Sequence, residues 1–285
     1  MIRDITIGQY YPAESVIHRL DPRTKLSLTF VYLVSLFLAN NRYMFLLAAM
    51  VLTAYIIAAK VPVRYMLKGI KGILLFIAAS VVINMFFTKG DPFISLGVVT
   101  ITWQGFRTAV FTMLRILMLV MGSSVLTYTT TPTKLTDGLE KGMRGLKKWK
   151  IPVHEISMMI GIALRFIPIL IEELNKIMKA QQARGADYEH GSIFRRLKNM
   201  IPIFVPMFVS AIRRANDLAL AMEARCYRGG EGRTKLHPLK YTAADGITYG
   251  MMLIYLAAMI AIRIIYTQGL IERLEQMQLP AALIR

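Results

Sequence analysis

Two triplets, Ala183-Arg184-Gly185 and Ala224-Arg225-Cys226, point most directly to a chemical task. Their arginines stand 41 positions apart, each closing an apolar stretch of helical periodicity. In the first triplet, Gly185 supplies the left-handed residue that ends a helix. Ala183 leaves room for a close neighbour, and Arg184 projects from the last turn, where a cation suits the negative end of the helix dipole. A guanidinium so placed binds a carboxylate through two parallel hydrogen bonds. In the second triplet Cys226 stands in glycine's place, and Gly229-Gly230 is expected to supply the stop. This is recognition chemistry: a pair of charged pegs for sockets on another protein.

The rest of the sequence offers no reaction. It has no G-x-x-x-x-G-K-[ST] loop to hold a nucleotide, and no Ser/His/Asp set or paired intramembrane carboxylates to serve an enzyme. His18, His154, His190 and His237 are far apart and lack metal-ligand spacing. Cys226 is the only cysteine, which excludes an internal disulfide and a cysteine-based metal site. No cofactor and no metal is therefore expected on the chain itself.

The elements that must position the arginines are set by hydrophobicity. Of the 285 residues 55% are hydrophobic, and mean hydropathy is +0.47. Uncharged apolar runs occupy Leu26–Asn40, Tyr43–Ala59 and Ile73–Phe87; two more, Thr108–Tyr128 and Gly246–Tyr266, contain Arg115 and Arg263 as their only charges. About 20 residues cross a bilayer core, so the first three must tilt or borrow from their flanks. None of the five holds Asp or Glu, whereas ion-coupled transporters use intramembrane carboxylates as relays or ligands; Asp245 stands just before the last run.

The net charge of +18 would suggest nucleic acid in a soluble protein, but no nucleic-acid-binding motif accompanies it. In a membrane protein it records cytoplasmic loops. Lys60, Arg64, Lys68 and Lys71 follow the second run and Lys134, Lys141, Arg144, Lys147, Lys148 and Lys150 the fourth, while Arg42 alone follows the first. Lys89, Asp91 and a β-prone stretch Ile94–Thr102, read as an external hairpin, follow the third. The alternation puts the N-terminus inside and the C-terminus outside.

Residues 130–240 hold 20 Lys/Arg against 10 Asp/Glu yet keep two helical patterns, Val153–Ala183 after Pro152 and Ile203–Ala224. A basic amphipathic piece, Ile193–Lys198, lies between them. As membrane spans these would bury Arg165, Glu172 and Glu173, then Arg213, Arg214 and Asp217, at about 2.5–3.5 kcal/mol per charge near mid-bilayer. They are instead expected to lie at the cytoplasmic interface. Met158, Met159, Met178 and Met207 on them are candidates for an adaptable docking surface. Arg115 is expected to be satisfied by nearby polar or carbonyl groups. Gly246, Gly250, Ala257 and Ala261 share a helical face expected to pack closely inside the molecule.

The triplets belong to a longer pattern. His18-Arg19-Leu20-Asp21-Pro22-Arg23-Thr24-Lys25-Leu26 precedes the first run and Thr130-Thr131-Pro132 follows the fourth. Then come Leu164-Arg165-Phe166-Ile167-Pro168, Gln182-Ala183-Arg184-Gly185 and Ala224-Arg225. In order and spacing the chain resembles the transmembrane T component of energy-coupling factor transporters over nearly its full length; Cys226 departs from the family's glycine.

The resemblance implies an all-α integral membrane protein with about five transmembrane helices and a cytoplasmic coupling domain of long amphipathic helices. In residues, that is a cytoplasmic segment 1–25, spans within 26–129, a coupling-helix domain 130–240, a fifth span in 241–266 and a tail 267–285. It further implies a non-catalytic subunit. Two ABC-type ATPase subunits, which bind the ATP and magnesium, would engage Ala183, Arg184, Gly185, Ala224, Arg225 and Cys226. A membrane-embedded S component would bind the vitamin or other micronutrient and dock on the long helices. The competing reading is the permease subunit of a conventional ABC importer: Glu223-Ala224 with Gly229 echoes a permease docking loop, but the Ile-x-Leu-Pro continuation is missing.

Overall fold

The computed structural model describes residues 10–88, 92–96, 99–150, 152–186, 193–230 and 238–276. Lys89, Asp91, His190, His237 and the tail from residue 277 lie outside the described residues. Helices follow one another in chain order: α1 Val16–Arg19, α2 Pro22–Leu38, α3 Arg42–Ala59, α4 Val63–Lys71, α5 Leu74–Phe87, α6 Trp103–Thr129, α7 Pro132–Gly142, α8 Val153–Ala183, α9 Ile193–Ala224 and α10 Ala243–Gln276. The hairpin expected after α5 is present as β1 Pro92–Leu96 paired antiparallel with β2 Val99–Thr102. Contacts divide the chain into two compact units: Pro132–Pro238 forms one, and the described residues before and after it form the other.

The second unit carries the apolar runs. Asp21 starts α2 by accepting the Arg23 amide at 2.9 Å, and Pro22 fills the first turn, where its missing N–H costs nothing. Leu36 and Tyr32 of α2, Ala48 and Leu52 of α3, Val125 of α6 and Tyr255 and Met259 of α10 form one buried cluster. A Cβ at position 122 would lie 2.7 Å from the Tyr32 ring, so glycine there lets α6 approach α2. The Ser35 and Tyr255 hydroxyls meet at 2.6 Å across α2 and α10, and the Tyr128 hydroxyl donates to the Tyr65 carbonyl at 3.0 Å.

Arg115 donates to the Ala39 carbonyl at 2.7 Å, and its guanidinium lies 5.5 Å from the Phe45 ring centre. The mid-run charge thus satisfies the open end of α2 and has a structural partner. The outward side chains, by contrast, are apolar: Met50, Ile57, Leu75, Phe87 and Ile254 are each at least 70% exposed. Hydrocarbon, not water, accommodates such a surface.

By length and composition α3, α6, α8 and α10 can cross a membrane, and the α4–α5 pair, bent by 65°, makes a fifth candidate if taken as one broken span. The number agrees with the expectation; the membership differs. At 17 residues α2 spans about 25 Å, less than the hydrocarbon core. The α8 helix, expected at the interface, is long and apolar enough to be a candidate.

The last helix runs on to Gln276, beyond the apolar run that ends at Tyr266, because Leu270-Ile271-Glu272-Arg273-Leu274-Glu275 are good helix formers. Two expectations are corrected. Helix α9 begins at Ile193, not Ile203, and absorbs the basic amphipathic piece; Pro202 and Pro206 lie inside it, each forgoing its own N–H bond. Among the described residues the Gly246–Gly250 face packs against no other element: a methyl group added to either glycine would meet none of them within 4 Å. The reason is angular: the buried Thr248, Tyr255 and Met259 lie about 180–220° around the helix from Gly246.

Candidate functional site

Within Pro132–Pro238 the two arginine triplets end α8 and α9. The start of α8 is held to α7: Glu140 pairs with His154 Nδ1 at 3.1 Å and accepts the Ser157 hydroxyl at 3.1 Å. After α9 the chain returns to the same place, for a Cβ on Gly230 would collide with the His154 ring.

Helices α8 and α9 run antiparallel. Arg214 Nη2 donates to Glu173 Oε2 at 2.6 Å, and Gln181, further along α8, donates to the carbonyl of Pro202, further back on α9, at 3.4 Å. Ile162, Phe166 and Leu170, stepping by four along α8, face Ala211, Ala215 and Ala219, stepping by four along α9. A bulky row opposite a small row leaves an apolar groove of about 290 Å³ with Arg214 in its wall.

Both helices then stop in the same way. At the end of α8 the Gly185 amide donates to Gln182 at 2.9 Å and the Ala186 amide to Gln181 at 3.0 Å, with Gly185 at φ 85°. At the end of α9 the Cys226 amide donates to Glu223 at 2.8 Å and the Tyr227 amide to Met222 at 3.0 Å, with Cys226 at φ 54°. Each is the paired 6→1 and 5→2 arrangement of a Schellman cap. Arg184 and Arg225 occupy the same position in it, the last residue before the left-handed one. The expectation that Gly229-Gly230 stops the second helix is therefore corrected: Cys226 itself adopts the left-handed conformation. Gly229, at φ 89°, makes a later turn, and Gly230 is needed against His154.

Ala183, Arg184, Gly185, Ala224, Arg225 and Cys226 are all exposed. Each arginine lies eleven residues beyond the Glu173–Arg214 contact (173 to 184, 214 to 225), about 16 Å of helix. Because the helices are antiparallel, the two arms point in opposite directions from that contact, and the guanidinium-bearing ends stand on the order of 30 Å apart. The arrangement exposes two cations in equivalent positions at well-separated helix ends.

Of the candidate methionines, Met159 is exposed and Met158, Met178 and Met207 are half-buried; none lines the α8–α9 groove, where Met222 does. Sequence reasoning missed the groove and the Glu173–Arg214 contact. Both had a signal: the four-residue steps of the two rows, and a 41-residue offset identical to that of the arginines. Among the described residues no three His, Cys, Asp or Glu side chains gather as a metal site.

The model of the CbiQ family, described as cobalt transport protein, matches residues 13–236. The energy-coupling factor transporter transmembrane protein EcfT of Ruminiclostridium cellulolyticum is 45% identical over 266 residues, covering 93% of this chain and 100% of the relative. The EcfT of Acidaminococcus fermentans is 48% identical over 92% of this chain and 97% of its own length, and that of Bacillus subtilis 42% identical over 91% and 98%. With a family match across most of its length and relatives of this similarity over more than nine-tenths of it, the chain belongs to the CbiQ family, among the EcfT transmembrane components of energy-coupling factor transporters.

Proposed function

We propose that the chain is the coupling scaffold of an energy-coupling factor importer and that Arg184 and Arg225 are its two points of attachment to a pair of ATP-hydrolysing subunits. The observation that carries this is the equivalence of the helix ends: the same cap, the same arginine position, the same eleven-residue distance from the Glu173–Arg214 contact. Two like partners require two like pegs. Each guanidinium enters a carboxylate-bearing groove of one ATPase, where the bidentate geometry resists sliding. ATP and magnesium belong to those partners.

In this reading α8 and α9 lie at the cytoplasmic interface. Their Arg165, Glu172, Glu173, Arg213, Arg214 and Asp217 would each be costly in hydrocarbon. With α2, α3, α4–α5, α6 and α10 as spans, the lysine and arginine distribution puts the N-terminus inside and the C-terminus outside. The long helices hold a separate membrane protein that binds the vitamin or other micronutrient, with Met158, Met159, Met178 and Met207 as adaptable contacts. Closure of the ATPases drives the helix ends and reorients that carrier, releasing its substrate inward.

The test is charge reversal. Arg184→Glu with Arg225→Glu is expected to abolish co-purification of the ATPases while membrane insertion persists. Retention of the whole complex by the double variant refutes the attachment.

A further inference from the structure

Among the described residues the chain leaves the membrane-run unit after Thr131 and returns to it at Leu239, so two covalent crossings there join it to the Pro132–Pro238 unit. Both are tied to one short segment at the start of α2. On the outgoing side, the Lys25 ammonium, 1% exposed, donates to the Thr129 carbonyl in the last turn of α6 at 3.0 Å and to the His18 carbonyl at 3.2 Å. A cation at a helix C-terminus also meets the negative end of its dipole. Nearby, the Tyr11 amide donates to the Tyr128 carbonyl at 2.9 Å, and His18 Nε2 sits 3.0 Å from the Tyr11 carbonyl.

On the returning side, Asp245, also 1% exposed, accepts the Asp21 amide at 2.9 Å with one oxygen. Its other oxygen accepts the amide and hydroxyl of Thr242 at 2.8 and 2.7 Å. Arg23, paired with Asp21 at 2.9 Å, lies 3.9 Å above the Tyr241 ring. Thr129 is three residues from the outgoing crossing, and Tyr241–Asp245 begins two residues after the returning one. Buried ionic groups so fully engaged are costly to disturb, because a partner removed leaves the others desolvated and unpaired.

We propose that His18–Lys25 is the anchor of the transmission: Lys25 and Asp245 lock the outgoing and returning crossings to one segment, so that a stroke delivered at Arg184 and Arg225 reaches the membrane helices. They act as positioning residues, and the inference rests on the coupling role proposed above. Were the crossings free, motion of the Pro132–Pro238 unit would be absorbed in residues 129–131 and 239–245.

The experiment uses the chain purified with its two ATPases, with Cys226 retained and bimane carried on Ile254→Cys, a lipid-facing site of α10; the same labelling of the chain with Ile254 in place gives the Cys226 signal to subtract. Trapping with ATP and orthovanadate is expected to shift bimane emission in the parent complex. In Lys25→Met and in the milder Asp245→Asn the shift should fall by about fivefold or more, as expected for loss of one buried partner, with the ATPases still bound and hydrolysing ATP. A full shift in both variants overturns the anchor, as does release of the ATPases, which would make these residues serve assembly only. Should the parent chain itself bind no ATPases, or bind them with no shift on trapping, the coupling role fails instead.

Discussion

Arg214 Nη2 meets Glu173 Oε2 at 2.6 Å where α8 and α9 cross, at equal sequence distance from Arg184 and Arg225. The contact is a centre from which the two arginine ends extend in opposite directions. Both side chains are partly solvated, 38% exposed for Arg214 and 28% for Glu173, so the pair acts through geometry more than through burial.

Single reversals, Glu173→Arg or Arg214→Glu, are expected to place like charges in contact and speed limited proteolysis between α8 and α9. The exchange of both should restore the parent rate. A swap that behaves like the sum of the singles would remove the pair from the account. The hydrogen bond from Arg214 holds the Glu173 carboxyl below its ordinary value of 4.5. A depressed folded value means the stabilisation is present above 4.5 and lost as pH falls through the folded value. Proteolysis should therefore be flat from about pH 5 to 8, and accelerate only below the ordinary carboxylate range.

Cys226 holds a left-handed conformation that disfavours any side chain by about 1 kcal/mol. Cys226→Gly should stabilise the chain by about that amount in denaturant melts. Gly185→Ala should destabilise it by about the same, since no described residue would crowd the added methyl and the conformational cost remains. Effects of the same sign would contradict the shared cap.

The only cysteine in the sequence sits beside Arg225 and is exposed, which makes it a native reporter. Maleimide is expected to label Cys226 in the isolated chain and at least about tenfold more slowly in the complex with ATPases, as for a site buried in an interface. Equal rates in both would mean that the end of α9 stays free.

Membrane orientation follows from cysteines at Lys147 and Gln268 in a Cys226→Gly background. An impermeant reagent should reach Lys147→Cys only from the cytoplasmic side and Gln268→Cys only from outside. Labelling of both from one side would overturn the five-span arrangement.

Much of this architecture is written in local sequence. The limits of α8, Val153 to Ala183, follow from Pro152, a continuous 3.6-residue pattern and Gly185. The hairpin at Pro92–Thr102 follows from β-prone residues between apolar runs. The arginine triplets were legible for the same reason, because caps and periodicity depend on neighbours a few residues away. Tertiary structure decided the rest. That Cys226 and not Gly229 turns the chain, that Arg115 finds the carbonyl of Ala39, and that the Gly246–Gly250 face looks away from the core all depend on which surfaces pack. The sequence places Lys25 and Asp245 at the edges of apolar runs, but many buried acceptors and amides are chemically equivalent partners for them. Only the packing of α2 against the ends of α6 and α10 selects Thr129 and Asp21.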